Sequence, residues 1–291
     1  MQRHLRPARD VYAPDMLTST PLISSAELIT IIDEPTTVIV DCRWYLGQPD
    51  AGPKAFRGGH ISGAVFADLD ADLSGRSGGG RHPLPTPEEF DRTLGRLGVS
   101  PGSNVVVYDD RGGVVAARLW WMLTDQGHSS TRVLDGGLQA WGEAGGPLSS
   151  VVQETQGNAA GVALHPWRGV VSIDAVDNRG SDTVVIDARA SERYRGEAEP
   201  VDPKAGHIPG AVNLPTTANL NHNRFTTEAR VARNFASVGV GDQTDVIVHC
   251  GSGVTACHLV LAAEIAGFAR PKLYVGSWSE WSSTERPVAT G

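Results

Sequence analysis

The chain of 291 residues and 30.8 kDa is long enough for two ordinary domains, and its 40% hydrophobic and 20% charged residues are typical of a globular protein. A formal net charge of −8 and a pI near 5.6 argue against nucleic acid or an anionic membrane surface as the main partner. The three cysteines include no C-x-x-C pair. They predict neither a disulfide framework nor a zinc site, and they favour a reducing cytoplasm.

The N-terminal segment, residues 1–16, is basic but is not followed by the apolar stretch of a signal peptide. Asp10 and Asp15 interrupt its positive charge, so it is only a weak match to a transit peptide. No later window approaches the length of a membrane span. We therefore expect a cytoplasmic protein that does not bind a membrane.

The two halves of the chain repeat the same motifs in the same order. VIVDCRWYLGQ at residue 38 returns as VVIDARASERY at 184, and GHISGAV at 59 returns as GHIPGAV at 206. VVVYDDRGGVVAARL at 105 matches VIVHCGSGVTACHLV at 246, and GGLQAW ending at Trp141 matches GSWSEW ending at Trp281. We predict domains at residues 20–147 and 168–291, joined by an irregular linker at residues 148–167.

Short β-branched runs recur in both halves and are apolar throughout, which is typical of strands buried on both faces. They predict strands at Val38–Val40, Val105–Val107, Val184–Ile186 and Val246–Val248. Helical periodicity follows at Val115–Leu123 and at Thr255–Ala266. Alternating strands and helices predict the α/β fold class, with a mostly parallel sheet flanked by helices in each of two tandem domains.

A glycine-rich turn joins strand to helix in the third motif of each half. In parallel sheets, ligands collect at the carboxyl ends of strands beside helix N-termini. Cys250 stands at this point of the C-terminal half, where turn N–H groups and the helix dipole stabilise a thiolate. Gly113 and Gly253 lie 140 residues apart, and the same separation puts Asp110 opposite Cys250. We therefore expect both loops to hold an anion.

Three kinds of loop fit this sequence. A cysteine phosphatase needs an arginine to clamp phosphate where this chain has Ala256. A dinucleotide site needs an acid after the next predicted strand, Lys272–Val275, but Gly276 and Ser277 follow it. The third kind is a sulfur-carrier loop with Cys250 as the catalytic thiol. A phosphatase-like or arsenate-reducing loop and a non-catalytic sulfur-relay binding module remain alternatives.

The chain resembles the two-domain rhodanese-like sulfurtransferases from about Leu22 to its end. The resemblance rests on the repeat and on four ordered motifs: DAR at Asp187, GHIPGAV at Gly206, CGSGVT at Cys250 and GSWSEW at Gly276. It implies a catalytic C-terminal domain and a non-catalytic N-terminal domain with Asp110 in place of Cys. It also implies that Cys250 carries sulfur as a persulfide from 3-mercaptopyruvate or thiosulfate to cyanide or a thiol, with no metal or organic cofactor.

The loop sequence bears on the sulfur donor. In the family, CRKGVT loops go with thiosulfate and CGSGVT loops go with 3-mercaptopyruvate, so the resemblance favours mercaptopyruvate here, with thiosulfate:cyanide sulfurtransfer as the alternative. It implies that Arg193 binds the substrate carboxylate. The EPR motif of mercaptopyruvate enzymes reads EPV here, ending at Val201, so we expect a second arginine to be missing. The implied substrate-binding loop residues are Gly251, Ser252, Gly253, Val254 and Thr255.

The resemblance also implies a proton relay in which His60 works with Ser252, with Asp50 as a weaker candidate for the acid. Asp187 and Arg189 are expected to support the site. A structural role is the alternative for His60 and for its counterpart His207. The expected partners are a small sulfur donor and a thiol or cyanide acceptor, with a thioredoxin-like reductant as a further candidate. Cys257 and the tryptophans at 120, 121, 141, 278 and 281 are expected in the core.

Overall fold

The computed structural model describes residues 20–153, 160–162 and 164–291. The basic segment 1–16 and residues 154–159 and 163 of the predicted linker lie outside the described residues. The described chain contains two five-stranded sheets in which every strand pair is parallel. Helices connect the strands, so the predicted α/β fold class is confirmed.

Two helices of the N-terminal half begin at capping residues that can be read from the sequence. Ser24 and Thr86 each form a capping box with the glutamate three residues later. The elements are β1 Leu22–Ile23, α1 Ser25–Ile31, β2 Thr37–Asp41, α2 Ala51–Gly58, β3 His60–Ile61, β4 Val65–Phe66, α3 Pro87–Arg96, β5 Asn104–Tyr108, α4 Ala116–Asp125, β6 Thr131–Leu134, α5 Gly137–Glu143 and β7 Leu148–Ser149. The sheet order is β1-β6-β5-β2-β4, and β3 and β7 form a separate antiparallel pair.

The C-terminal half repeats this design, with the sheet order β10-β9-β13-β14-β8. Its antiparallel hairpin β11–β12 has no counterpart among the described residues of the first half. The elements are β8 Val170–Val171, α6 Ile173–Asp177, β9 Thr183–Asp187, α7 Ser191–Tyr194, β10 Val212–Asn213, a 3-10 helix Thr216–Asn219, β11 Leu220–Asn221, β12 Arg224–Phe225, α8 Glu228–Ser237, β13 Asp245–His249, α9 Ala256–Ile265, β14 Lys272–Tyr274 and α10 Ser277–Trp281.

The strands β5 and β13 occupy the centres of the two sheets, each with two strands on either side. The glycine-rich turns that follow them therefore lie at the middle of each sheet edge, where the carboxyl ends of neighbouring strands converge. All four predicted strands fall within β2, β5, β9 and β13, and the two predicted helices match α4 and α9 to within two residues at each end.

The two halves share one apolar core. Helices α4 and α9 pack against each other, and one continuous cluster of buried side chains includes Leu119 and Trp120 of α4 together with Leu259 and Val260 of α9. The five tryptophans expected in the core are each at most 1% exposed. A shared core of this kind fixes the position of one half relative to the other, so residues of both halves can build one site.

Candidate active site

Cys250 directly follows the central strand β13, and its backbone is held on both sides. Its N–H donates to the Ser277 hydroxyl at 3.1 Å, and its carbonyl accepts from the Trp278 N–H at 2.9 Å. The Sγ atom accepts the Gly253 N–H at 3.1 Å. These contacts fix the thiol at the start of the turn, with a backbone donor on the sulfur that stabilises a thiolate or a persulfide anion.

The turn has a shape that only glycine fits at its third position. Gly253 has a φ of +75°, and a Cβ there would lie 2.3 Å from the Val275 carbonyl oxygen. Of the other predicted loop residues, Val254 is buried and Thr255 is half-buried as the N-cap of α9. The substrate-binding roles of these residues stay predictions.

Gly251 lies beneath two guanidinium groups. The position of a Cβ on Gly251 would be 3.1 Å from Nη2 of Arg81 and 3.5 Å from Nη1 of Arg193. Arg193 was predicted at the site, whereas Arg81 was missed because it belongs to the opposite half, in a glycine-rich stretch without a counterpart in the repeat. Each Nε–H is buried and has no hydrogen-bond partner in the described structure. The two side chains offer donors to an anion beside Cys250.

Two carboxylates neutralise these arginines. Asp202 accepts from Arg81 through Oδ1 and from Arg193 through Oδ2, the second at 3.1 Å. Glu199 accepts from Arg193 at 2.6 Å and from Arg189 at 3.2 Å. The side chains of Asp202 and Glu199 are only 2% and 4% exposed, so the carboxylates of these ion pairs are shielded from solvent. The side chains of Arg81 and Arg193 are partly exposed.

A hydrogen-bonded chain reaches the loop from the N-terminal half. Nδ1 of His82 lies 2.7 Å from the Ser252 hydroxyl, and Nε2 of His82 lies 3.1 Å from Oδ1 of Asp70. Trp44 donates to the other Asp70 oxygen at 2.9 Å. Burial lowers the pKa of His82 to about 4, although Asp70 opposes this shift. Neutral His82 can donate through Nε2 to Asp70 and accept the Ser252 proton at Nδ1.

The structure does not bring His60 to Ser252. Nδ1 of His60 instead bonds to the Phe56 carbonyl at 2.7 Å, and the two rings stack with centroids 3.9 Å apart. Asp50 lies exposed at the start of α2. The expected contact of His60 with Ser252 is therefore wrong, because the groups joined to Ser252 in this structure are His82 and, through it, Asp70. The sequence does not indicate His82, because the Arg81-His82 segment has no counterpart in the second half, whereas the motif that contains His60 does.

His207 shows why the repeated histidines are structural. Its Nδ1 bonds to the Tyr194 carbonyl at 2.8 Å, and its ring stacks on Tyr194 at 3.8 Å. This matches the arrangement of His60 and Phe56 in the first half. Each histidine joins a helix to the following segment, and this shared contact favours the structural alternative for both histidines.

Arg189 contacts several of the groups that surround the Cys250 loop. It forms a two-pronged ion pair with Asp187, bonds to the Gly206 carbonyl at 2.7 Å and lies 4.6 Å above the Trp278 ring. Burial alone would raise the pKa of Asp187, but His249 and Arg189 beside it lower that pKa overall. An equivalent pair of Asp and Arg at residues 41 and 43 bonds to the Gly59 carbonyl. The repetition favours the predicted supporting role.

The residue of the N-terminal half that corresponds to Cys250 is Asp109 and not Asp110. Asp109 and Cys250 both directly follow the central strand, and the carbonyl of each accepts from the second residue of α5 or α10 at 2.9 Å. The first loop has one additional residue before its glycine. Aligning Gly113 with Gly253 therefore shifted the comparison by one position.

The Asp109 carboxylate fills its own loop. It accepts four backbone N–H groups, at 2.7 to 3.0 Å, from residues 111, 113, 115 and 116. Burial raises the pKa of Asp109, while these donors oppose that shift. Asp110 instead accepts from the Tyr45 hydroxyl at 2.5 Å. The N-terminal loop thus binds a resident anion, as the sequence led us to expect, but through a different residue.

Cys257 is placed behind the loop. Its Sγ donates to the Gly253 carbonyl at 3.4 Å, and burial raises its pKa to about 12. A thiol in that environment is a poor nucleophile, which favours the predicted core role over a resolving role. His258 lies on the other side of α9 from the loop, stacked on Phe225 with Nε2 3.3 Å from the Gly112 carbonyl.

Comparison of the sequence with known domain families identifies the class of protein that this fold and site define. A rhodanese-like domain matches residues 24–144 and again residues 173–284. The chain therefore belongs to the rhodanese family, with two such domains in tandem. No helix among the described residues has the length and apolar character needed to cross a membrane.

Particular relatives extend over nearly the whole chain. A 3-mercaptopyruvate sulfurtransferase of Pseudomonas aeruginosa is 42% identical over 286 residues, covering 94% of this chain and all of that protein. Thiosulfate sulfurtransferase SseB of Mycobacterium tuberculosis is 40% identical over 277 residues, covering 93% of this chain and 97% of that protein. Both names are provisional. The crystal structure of SseA from Escherichia coli, a 3-mercaptopyruvate sulfurtransferase, matches with a TM-score of 0.79 at 33% identity, covering 90% of this chain and 100% of that one.

Proposed function

We propose that this protein is a sulfurtransferase in which Cys250 carries the transferred sulfur and 3-mercaptopyruvate is the preferred donor. The observation that carries the proposal is that the Cys250 sulfur accepts the Gly253 N–H in the same loop in which the Ser252 hydroxyl bonds to His82 and, through it, to Asp70. The relatives named for mercaptopyruvate and thiosulfate support the same reaction class.

In the first half-reaction, the Cys250 thiolate attacks the thiol sulfur of mercaptopyruvate. A sulfur–sulfur bond forms, the carbon–sulfur bond breaks, and the pyruvate enolate leaves with that electron pair. The proton of the donor thiol passes to the enolate carbon, so the products are the Cys250 persulfide anion and pyruvate. Ser252 and His82 lie in the right order to move this proton, because neutral His82 accepts at Nδ1 from the Ser252 hydroxyl.

The two arginines above Gly251 suit the rest of the substrate. A carboxylate accepts paired hydrogen bonds from guanidinium groups, and Arg81 and Arg193 both face the same glycine. Arg81 supplies the second cation that the sequence lacked at Val201. Their attraction for the carboxylate would hold the thiol carbon of mercaptopyruvate near Cys250.

In the second half-reaction, an acceptor attacks the outer sulfur and the Cys250 thiolate leaves. Cyanide gives thiocyanate, and a thiol gives a persulfide or, with a second thiol, hydrogen sulfide and a disulfide. The step needs a nucleophile that is small or well exposed, since Cys250 is 1% exposed. We propose small thiols and cyanide first, a thioredoxin-like dithiol next, and the cytoplasm as the location, because the three described cysteines are all unpaired.

Thiosulfate is the second candidate donor, favoured by the relationship to the Mycobacterium tuberculosis protein. Its leaving group, sulfite, departs without needing a proton. However, the loop position that could carry a cation for this dianion is Ser252, whose hydroxyl hydrogen-bonds but does not neutralise charge. We therefore expect a higher kcat/KM with mercaptopyruvate than with thiosulfate.

Intact mass spectrometry tests the proposal directly. The reduced protein is incubated with either donor, and we expect an adduct of about 32 Da, the mass of one sulfur atom, on the wild type and none on Cys250→Ser. Cys257→Ser is the matched control, because its thiol is also buried in the site region but is predicted to be inert. An undiminished adduct on Cys250→Ser, or none on the wild type with both donors, would refute the proposal.

A further inference from the structure

Access to Cys250 is closed in this structure. The thiol side chain belongs to a residue that is 1% exposed, and the groups above the adjacent Gly251 are the guanidiniums of Arg81 and Arg193. One arginine comes from each half of the chain. A donor molecule that approaches Cys250 past Gly251 meets both guanidinium groups.

Asp202 joins these two arginines. One carboxylate oxygen accepts from Arg81 and the other accepts from Arg193, and the side chain is 2% exposed. The contact with Arg81 crosses from the C-terminal half to the N-terminal half. A carboxylate that bridges both guanidiniums has the charge and the shape of the substrate group that those guanidiniums would bind.

Glu199, only three residues earlier, is built into the protein in a different way. It accepts from Arg193, from Arg189 and from the backbone N–H groups of Val201 and Asp202, the last two at 3.1 Å. It therefore anchors the loop. The side chain of Asp202, in contrast, bonds to the two guanidiniums and to no other group in the described structure. Exchange of the Asp202 carboxylate for another carboxylate would break only these two side-chain contacts.

Space for this exchange exists on the outer side of the ion pair. A cavity of about 510 Å³ lies between the two halves, lined by Arg81, Val201, Asp202 and Glu280 among others. Val201 on its rim is 37% exposed. Asp202 therefore borders the cavity and also bonds to the two guanidinium groups near Gly251.

We infer that the Asp202 carboxylate occupies the place of the donor's carboxylate and is displaced by it, so that Asp202 sets both the affinity and the charge of the donors that the site accepts. The inference rests on the proposed function. An internal competitor of this kind lowers the apparent affinity, because the donor binds only the fraction of molecules in which the Asp202 carboxylate is already displaced. It also disfavours a dianion more than a monoanion, because the entering charge passes close to Asp202.

Removing the charge of Asp202 tests the inference. We expect Asp202→Asn and Asp202→Ala to lower the KM for mercaptopyruvate about tenfold, as for a site that is nine-tenths occupied by its own carboxylate, with a smaller change in kcat. The KM for thiosulfate should fall by a larger factor. Glu197→Gln is the matched control, because Glu197 lies on the same loop and carries the same charge but pairs with Arg195 on the surface. An unchanged or raised KM in both Asp202 variants, at wild-type folding by circular dichroism, would overturn the inference.

A second measurement does not depend on turnover. Iodoacetate and iodoacetamide alkylate the same thiol and differ only in that one carries a carboxylate. We expect both Asp202 variants to raise the ratio of the iodoacetate rate to the iodoacetamide rate at Cys250 about tenfold, and Glu197→Gln to leave that ratio unchanged. An unchanged ratio in both variants contradicts the role of Asp202 even if persulfide forms. A raised ratio in a protein that forms no persulfide refutes the proposed function and supports the carboxylate exchange.

Discussion

Replacing His82 with glutamine should separate proton transfer from the rest of the reaction. In the wild type, the Ser252 hydroxyl lies 2.7 Å from Nδ1 of His82. Glutamine can keep a hydrogen bond with that hydroxyl but cannot take up and return a proton. General acid–base groups contribute roughly 10²- to 10⁴-fold to a rate. Because the pKa of His82 is lowered to about 4, it is a weak base at neutral pH, and we expect a loss of kcat near the lower limit. That is about 100-fold with mercaptopyruvate, or about 3 kcal/mol of transition-state stabilisation.

The assay compares two half-reactions of the same variant in a stopped-flow instrument. Persulfide formation from mercaptopyruvate should slow about 100-fold in His82→Gln, while discharge of preformed persulfide by cyanide, which needs no proton, should keep its wild-type rate. Ser252→Ala should show the same pattern, and the double variant should be no slower than either single one. Equal slowing of both half-reactions would mean that His82 only holds the loop in place. No slowing of persulfide formation would mean that the proton takes another route.

Two further predictions concern charge at the site. Arg81→Met and Arg193→Met should each raise the KM for mercaptopyruvate about 10- to 100-fold with a smaller change in kcat, because each removes a charged hydrogen bond to the carboxylate; steady-state kinetics check this, and unchanged KM values contradict it. The folded protein should also lose stability between pH 6.5 and pH 4. Burial lowers the pKa of both His82 and His258 to about 4 in the folded state. The unfolded chain therefore binds these protons first, and the stabilisation present above pH 6.5 is lost as the pH falls. The loss should be about 3 kcal/mol for each histidine, measured by denaturant unfolding, and a flat profile would contradict it.

Sequence patterns predicted the fold well because the fold is local and repeated. The central strands are short apolar runs, and strand, glycine turn and helix recur in each half with little change in spacing. Cys250, Arg189 and Arg193 could be found for the same reason, since each lies in a motif present in both halves or known from the resemblance. Their placement needs only the sheet to which they belong.

The missed residues lie outside the repeat. Arg81 and His82 follow a run of three glycines in a segment that the C-terminal half does not have, and they reach Cys250's loop only because α4 and α9 dock the halves together. Nothing in the local pattern gives that docking. His60 was the stronger candidate in sequence because it recurs as His207. Both histidines bond to the carbonyl of a helical aromatic residue and stack on its ring, so the recurrence reflects a shared structural contact.

The duplication also explains why the first half has kept its loop without a thiol. Asp109 satisfies the donors of that loop internally, so its energetic requirement for an anion is met with no substrate. The first half instead contributes side chains to the loop of the second half. Besides Arg81 and His82 it contributes Arg118 of α4, which is fully buried and donates to the Gly253 carbonyl at 3.1 Å and to the His82 carbonyl at 3.0 Å. One buried guanidinium thus joins the turn that carries Cys250 to the segment that carries His82. The geometry around Cys250 therefore depends on both domains remaining docked, and a free C-terminal domain would keep Cys250 without Arg81, His82 and Arg118.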